Sequence, residues 1–119
     1  MKPKELRIGN LVNWEGQVEK YLWYIDAMDI HKMDNDLDYC DSLKPIPLTL
    51  QWLNRLHDYI KIYENEVVID RFHLIQNTNF NFWTVFDSET LVYITKVEFV
   101  HEWQNVYFYL NSTELTWTE

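Results

Sequence analysis

Pro45 and Pro47, with Thr49 two residues on, constrain this chain more than any other feature. Each proline fixes its own φ, lacks a backbone donor and pushes the residue before it out of the α region, so Lys44 and Ile46 are expected to be extended. Thr49 then supplies the side-chain oxygen that an N-cap needs, accepting from an amide two or three residues on. Trp52 stands where a capping box places Glu or Gln, so that half of the signature is missing. Leu53 and Leu56, continued by Tyr59 or Ile60, follow at helical spacing, opposite Gln51, Asn54, Arg55 and Asp58. This predicts a linking helix within residues 46–58, two to three turns long. Such a helix is marginal alone in water, so its apolar stripe needs a neighbour to dock on.

Both flanks read as β structure. Before the prolines, Leu11-Val12-Asn13-Trp14 and Gln17 to Ala27 are separated by Glu15-Gly16, a hairpin turn by its chemistry. Tyr21 to Ile25 is apolar or aromatic throughout, as in a strand buried on both faces or curled into a small barrel. Residues 26–41 hold six aspartates and one lysine, read as an acidic loop in which Ile30-His31-Lys32-Met33 forms a short strand. After the helix, strands are expected at Tyr59–Tyr63, Val67–Gln76, Phe80–Phe86 and Leu91–Val97, turned by Asn, Asp, Ser and Glu clusters, an antiparallel meander. The period then changes: Phe99, Val100, Trp103, Val106, Tyr107 and Leu110 form the stripe of a C-terminal helix lying across the meander. The fold class is α+β in one domain spanning 1–119. It comprises a small N-terminal SH3-like β-barrel portion (1–45), the linking helix (46–58), and the meander plus C-terminal helix (59–119).

Charge narrows the partners. The chain of 119 residues has 10 basic and 19 acidic side chains, a net charge of −9. The basic ones are scattered, whereas a phosphate-binding surface needs them clustered, so tight binding to free nucleic acid is not expected. An acidic surface instead suits a basic macromolecule, including one that normally holds nucleic acid. Aromatic residues make up 17% of the chain, enough for some rings to serve as partner anchors. Cys40 is the one cysteine, and the N-terminus lacks a charged-then-apolar signal segment, so a cytoplasmic setting in a bacterial host cell is expected. No apolar run approaches a membrane span.

No pattern of catalytic or ligating residues stands out. His101-Glu102-Trp103-Gln104-Asn105 begins like a zinc-protease helix but has Asn at the second ligand position, leaving a surface histidine on a helix. Asp34-Asn35-Asp36-Leu37-Asp38 imitates the start of a calcium loop, yet Tyr39 replaces its glycine and Pro45 its final glutamate. Cys40 lies among Asp38 and Asp41, which oppose a thiolate. The expectation is a protein that is not an enzyme and uses no cofactor or metal. Its partner-binding residues are expected to be Asp34, Asp36, Asp38, Tyr39 and Asp41 with the rings of Trp23 and Tyr24.

Three stretches carry a family resemblance: Glu5-Leu6-Arg7-Ile8-Gly9-Asn10-Leu11-Val12-Asn13, Ile46-Pro47-Leu48-Thr49 with Trp52-Leu53, and Val100 to Phe108 (VHEWQNVYF) with Glu114-Leu115. Together they resemble a family of small uncharacterised proteins of bacterial phages and prophages. The chain departs from that pattern at Glu102 and Trp103, where Gln and Leu are expected, and at Leu50, where an acidic residue is usual. The resemblance implies a mobile-element setting and host-defence evasion. Its closest functional implication is an anti-CRISPR inhibitor of a type VI RNA-guided, RNA-targeting nuclease; a structural or regulatory phage accessory module is the alternative.

Overall fold

In the computed structural model, residues 6–15, 20–35, 43–77 and 79–116 are described, and the side chains of 14, 15, 20, 21, 23, 34 and 35 are not. The elements run β1 (Leu11–Glu15), β2 (Lys20–Tyr24), α1 (Ala27–Asn35), β3 (Leu43–Lys44), α2 (Leu50–Leu56), β4 (Lys61–Tyr63), β5 (Glu66–Ile69), β6 (Phe72–Gln76), β7 (Trp83–Asp87), β8 (Tyr93–Val97) and α3 (Val100–Asn111). The class is α+β, as the residue patterns predict. Two compact units make up the chain: Met1–Ile46 with Val100–Glu114, and Pro47–Phe99 with Leu115–Glu119.

The first unit holds a three-stranded antiparallel sheet in the order β2-β1-β3. β1 and β2 pair from Leu11↔Tyr24 to Glu15↔Lys20, the hairpin expected around Glu15-Gly16, whose turn residues 16–19 lie outside the described residues. The described residues form this open sheet and no closed barrel. Leu11 and Val12 are neighbours and both fully buried, so β1 is covered on both faces. On one side Val12 packs with Ile25, Met33 and Leu43, flanked by Leu6 and Ile30; on the other, β1 meets α3. The C-terminal helix therefore belongs with the N-terminal strands in this unit, not with the meander that precedes it in sequence.

α1 corrects the reading of residues 26–35 as an acidic loop with a strand at Ile30–Met33. Asp26 and Asp29 form a reciprocal capping box: the Asp26 carboxylate accepts from the Asp29 amide and the Asp29 carboxylate from the Asp26 amide, each at 2.9 Å. Two aspartates that look like loop chemistry thus start a helix, and Ile30 and Met33, three apart, share its inward face.

In the second unit α2 is capped by Thr49, whose hydroxyl accepts from the Trp52 amide at 3.3 Å, and its Leu53 and Leu56 are buried as expected. It ends at Leu56, so Tyr59 does not extend the stripe and is exposed. The extended lead-in bridges Pro47 to Phe99, donates Leu48 N–H to the Glu98 carbonyl (2.9 Å), and accepts the Trp83 indole N–H on the Leu48 carbonyl (2.9 Å). The meander has five strands in sequence order, β4 to β8, one more than expected. The run Val67–Gln76 is a hairpin, Ile69↔Phe72, around Asp70-Arg71, with Asp70 at φ +51°, a region aspartate enters more readily than most side chains. Val67, Ile69, Phe72, Leu74, Trp83, Val85 and Val97 are buried, and full burial of each such side chain contributes about 1.5–3 kcal/mol.

Candidate partner-binding face

Antiparallel pairing aligns the other set of meander residues in two rows. One runs Lys61, Val68, His73, Phe86, Tyr93; the next runs Tyr63, Glu66, Ile75, Thr84, Lys96. A solvated sheet face is normally polar, yet this one carries Tyr63, Val68, Ile75, Phe86 and Tyr93, with Tyr63 56% and Tyr93 52% exposed. The register shifts between Val85 and Phe86, leaving Ile94 of β8 as the extra residue, and Phe86 meets Tyr93 edge-on at 6.1 Å. Beyond β7, Phe80 stacks on Phe82 at 5.7 Å, and the Lys96 ammonium lies 5.0 Å from the Phe82 ring centre.

At one end of this face lies an open groove of about 610 Å³ lined by residues that include Tyr63, Glu64, Glu66, Ile75, Asn77 and Thr84. Its loops are held by backbone bonds from Gln76 N–H to the Asn65 carbonyl (2.8 Å) and from Asn77 N–H to the Phe82 carbonyl (3.0 Å). The Asn77 side chain accepts from Asn79 N–H at 2.9 Å. The Glu66 carboxylate is fixed against His73 Nε2 at 2.9 Å. At the far tip, the Asp87 carboxylate accepts from the amides of Glu89 and Thr90, both at 3.0 Å. Those bonds, Thr90's first and then Glu89's, hold its pKa below the ordinary value. They shape a turn in which Leu91 adopts φ +59° and presents Leu91, Val92 and Tyr93 to solvent.

The residues expected to bind a partner are mostly elsewhere or undescribed. Asp36, Asp38, Tyr39 and Asp41 lie outside the described residues, and Asp34 (α1) and Trp23 (β2) are placed by backbone alone. Tyr24 ends β2 and is 40% exposed. The meander face was missed because its rows exist only once register is known; alternation alone says which residues share a face, not which strands adjoin.

The N-terminal and C-terminal signature stretches meet inside the first unit, where Arg7 to Leu11 and Gln104 to Glu114 form a structural tie. Arg7 donates to both Glu114 carboxylate oxygens (2.5 and 3.1 Å) and to Asn105 Oδ1 (3.1 Å), with its guanidinium 4.1 Å from the Phe108 ring centre. Asn10 donates to the same Asn105 oxygen at 2.7 Å. Buried Gln104 accepts from Leu11 N–H at 2.7 Å and donates to the Gly9 carbonyl at 3.3 Å. Gly9 itself sits at φ +96°, and a Cβ there would meet the Glu114 carboxylate at 3.1–3.3 Å. His101, expected on the surface, is buried at 3% exposure on the same helix, where Trp103 packs edge-on against Tyr107.

Among the described residues no group of three or more His, Cys, Asp or Glu could hold a metal, and no helix is long and apolar enough to cross a membrane. In the second unit burial lowers the pKa of His57 to about 4, against the opposing charges of Asp70 and Asp58. His57 is the C-cap of α2, its backbone N–H donating to the Leu53 carbonyl at 3.1 Å. No family model, curated protein or solved structure matches this chain.

Proposed function

We propose that the protein acts by contact, as a non-enzymatic phage-encoded inhibitor that binds a basic host CRISPR ribonucleoprotein nuclease, type VI favoured, and blocks its use of guide or target RNA. The observation that carries this reading is the outer face of the meander. Exposed rings and half-buried aliphatic side chains occupy a face that solvent alone would leave polar, next to carboxylates, in a chain of net charge −9. A protein channel built to hold RNA is cationic and would be drawn to such a surface, with the rings Tyr63, Phe86 and Tyr93 as anchors. The exposed Leu91-Val92-Tyr93 tip extends the same surface.

The test is cleavage of a labelled target RNA by purified nuclease and guide, with and without saturating protein, across several CRISPR types. Inhibition that weakens when Tyr63→Ser and Tyr93→Ser are introduced supports the reading. Normal cleavage throughout removes it. Co-purification of a phage-encoded protein in its place favours the accessory-module alternative, for which the same apolar face is the supporting observation.

A further inference from the structure

The groove beside Tyr63 has a chemistry narrower than general acidity. Its lining includes two carboxylates, Glu64 and Glu66, and the amide residues Asn65, Gln76, Asn77 and Asn79; among the described residues it includes no lysine or arginine, Lys96 lying opposite Thr84 on the next strand. Carboxylate and amide oxygens therefore border a space whose apolar lining is Tyr63 and Ile75, although Asn77 Oδ1 already accepts from Asn79 N–H. An anion would be repelled, and an apolar ligand would strip water from carboxylates without replacing it. A guanidinium satisfies both halves of the lining: its five donors reach planar acceptors, and its weakly hydrated faces stack on a ring. Glu66 is already oriented by His73 at 2.9 Å, so little side-chain freedom is lost on binding. Beside the groove, β4 is exposed at all three residues and, among the described residues, pairs only with β5. Its outer edge can take an extended backbone as a further strand.

We propose that this groove is an arginine-binding site, which takes an arginine side chain of a partner protein from a segment lying extended along β4. The proposal rests on the contact reading above and names the part of the face that recognises positive charge.

The experiment is an amide NMR titration of the full chain with the peptide acetyl-Gly-Arg-Arg-Gly-amide at two salt concentrations. Shifts should centre on Tyr63, Glu66, Ile75, Asn77 and Thr84 and weaken at higher salt. Glu64→Gln with Glu66→Gln should weaken binding about tenfold. Glu89→Gln with Asp58→Asn, the same charge change away from the groove, should leave it within twofold. Thr84→Arg, which fills the groove from β7, should abolish the shifts and covers the case in which the glutamate pair does not fold. The proposal is overturned if no groove resonance moves, if the citrulline analogue binds as well, or if the two double variants lose affinity equally. Nuclease inhibition with a silent groove would sink this proposal and leave the contact reading standing; a responsive groove without inhibition would do the reverse.

Discussion

Replacing Gln104 by methionine tests whether the signature residues hold the first unit together. Gln104 is fully buried and joins α3 to the 9–11 stretch through Leu11 N–H and the Gly9 carbonyl. Methionine keeps the length and volume and removes both bonds, so cavity formation is a minor part of the cost. Each bond contributes about 1 kcal/mol net, and a buried amide left without an acceptor costs about 1–3 kcal/mol. The Gly9 carbonyl is only half-buried and can turn to water. The expected loss is therefore about 3 kcal/mol, carried mainly by Leu11. With a urea dependence of about 1.5 kcal/mol per molar, the unfolding midpoint of this unit should fall by about 2 M. Hydrogen exchange at Leu11 should rise roughly a hundredfold, since about 1.4 kcal/mol is a factor of ten. Gln104→Glu keeps an acceptor for Leu11 but sets a buried carboxylate against the Gly9 carbonyl, so at neutral pH it should cost at least as much as methionine. A loss under about 0.5 kcal/mol, or unchanged exchange at Leu11, would refute the tie.

Gly9→Ala should cost at least about 1–2 kcal/mol by chemical denaturation, because φ +96° is strained for any L side chain and the added carbon presses on Glu114. Leu91→Gly should do the opposite: relief of about 1–2 kcal/mol of left-handed strain outweighs a glycine entropy cost of about 0.5–1 kcal/mol, and the exposed side chain loses no burial. Asp26→Ala should remove about 1 kcal/mol and the helical signal of α1, read by circular dichroism and amide exchange over residues 27–35. His57 titrates near 4 in the fold and near 6.5 when unfolded, so the unfolded chain binds the extra proton between these values. Stability is full above pH 6.5 and falls as pH drops toward 4. The loss is at most about 3 kcal/mol and nearer 1–2 after screening, and His57→Gln should flatten that part of the profile.

The sequence by itself determined the elements whose signals are local. Pro45, Pro47 and Thr49 specify an extended lead-in and a capped helix with Leu53 and Leu56 inward, because proline and a capping hydroxyl act within a few bonds of their own backbone. Alternation and turn residues specify the meander, and a change of period specifies α3. Even local reading failed where one residue type serves two purposes: Asp26 and Asp29 cap a helix, and Asp70 folds what looks like one strand into two. Only the tertiary structure decided that Arg7, Gly9 and Asn10 close on Gln104, Asn105 and Glu114, more than ninety residues away, since hydrogen-bond partners at that separation leave no mark in spacing. It likewise decided that Tyr63, Glu66, Ile75 and Thr84 form one row beside a groove. Strand order and register bring those side chains together, and both depend on which pairing buries Val67, Leu74 and Val85.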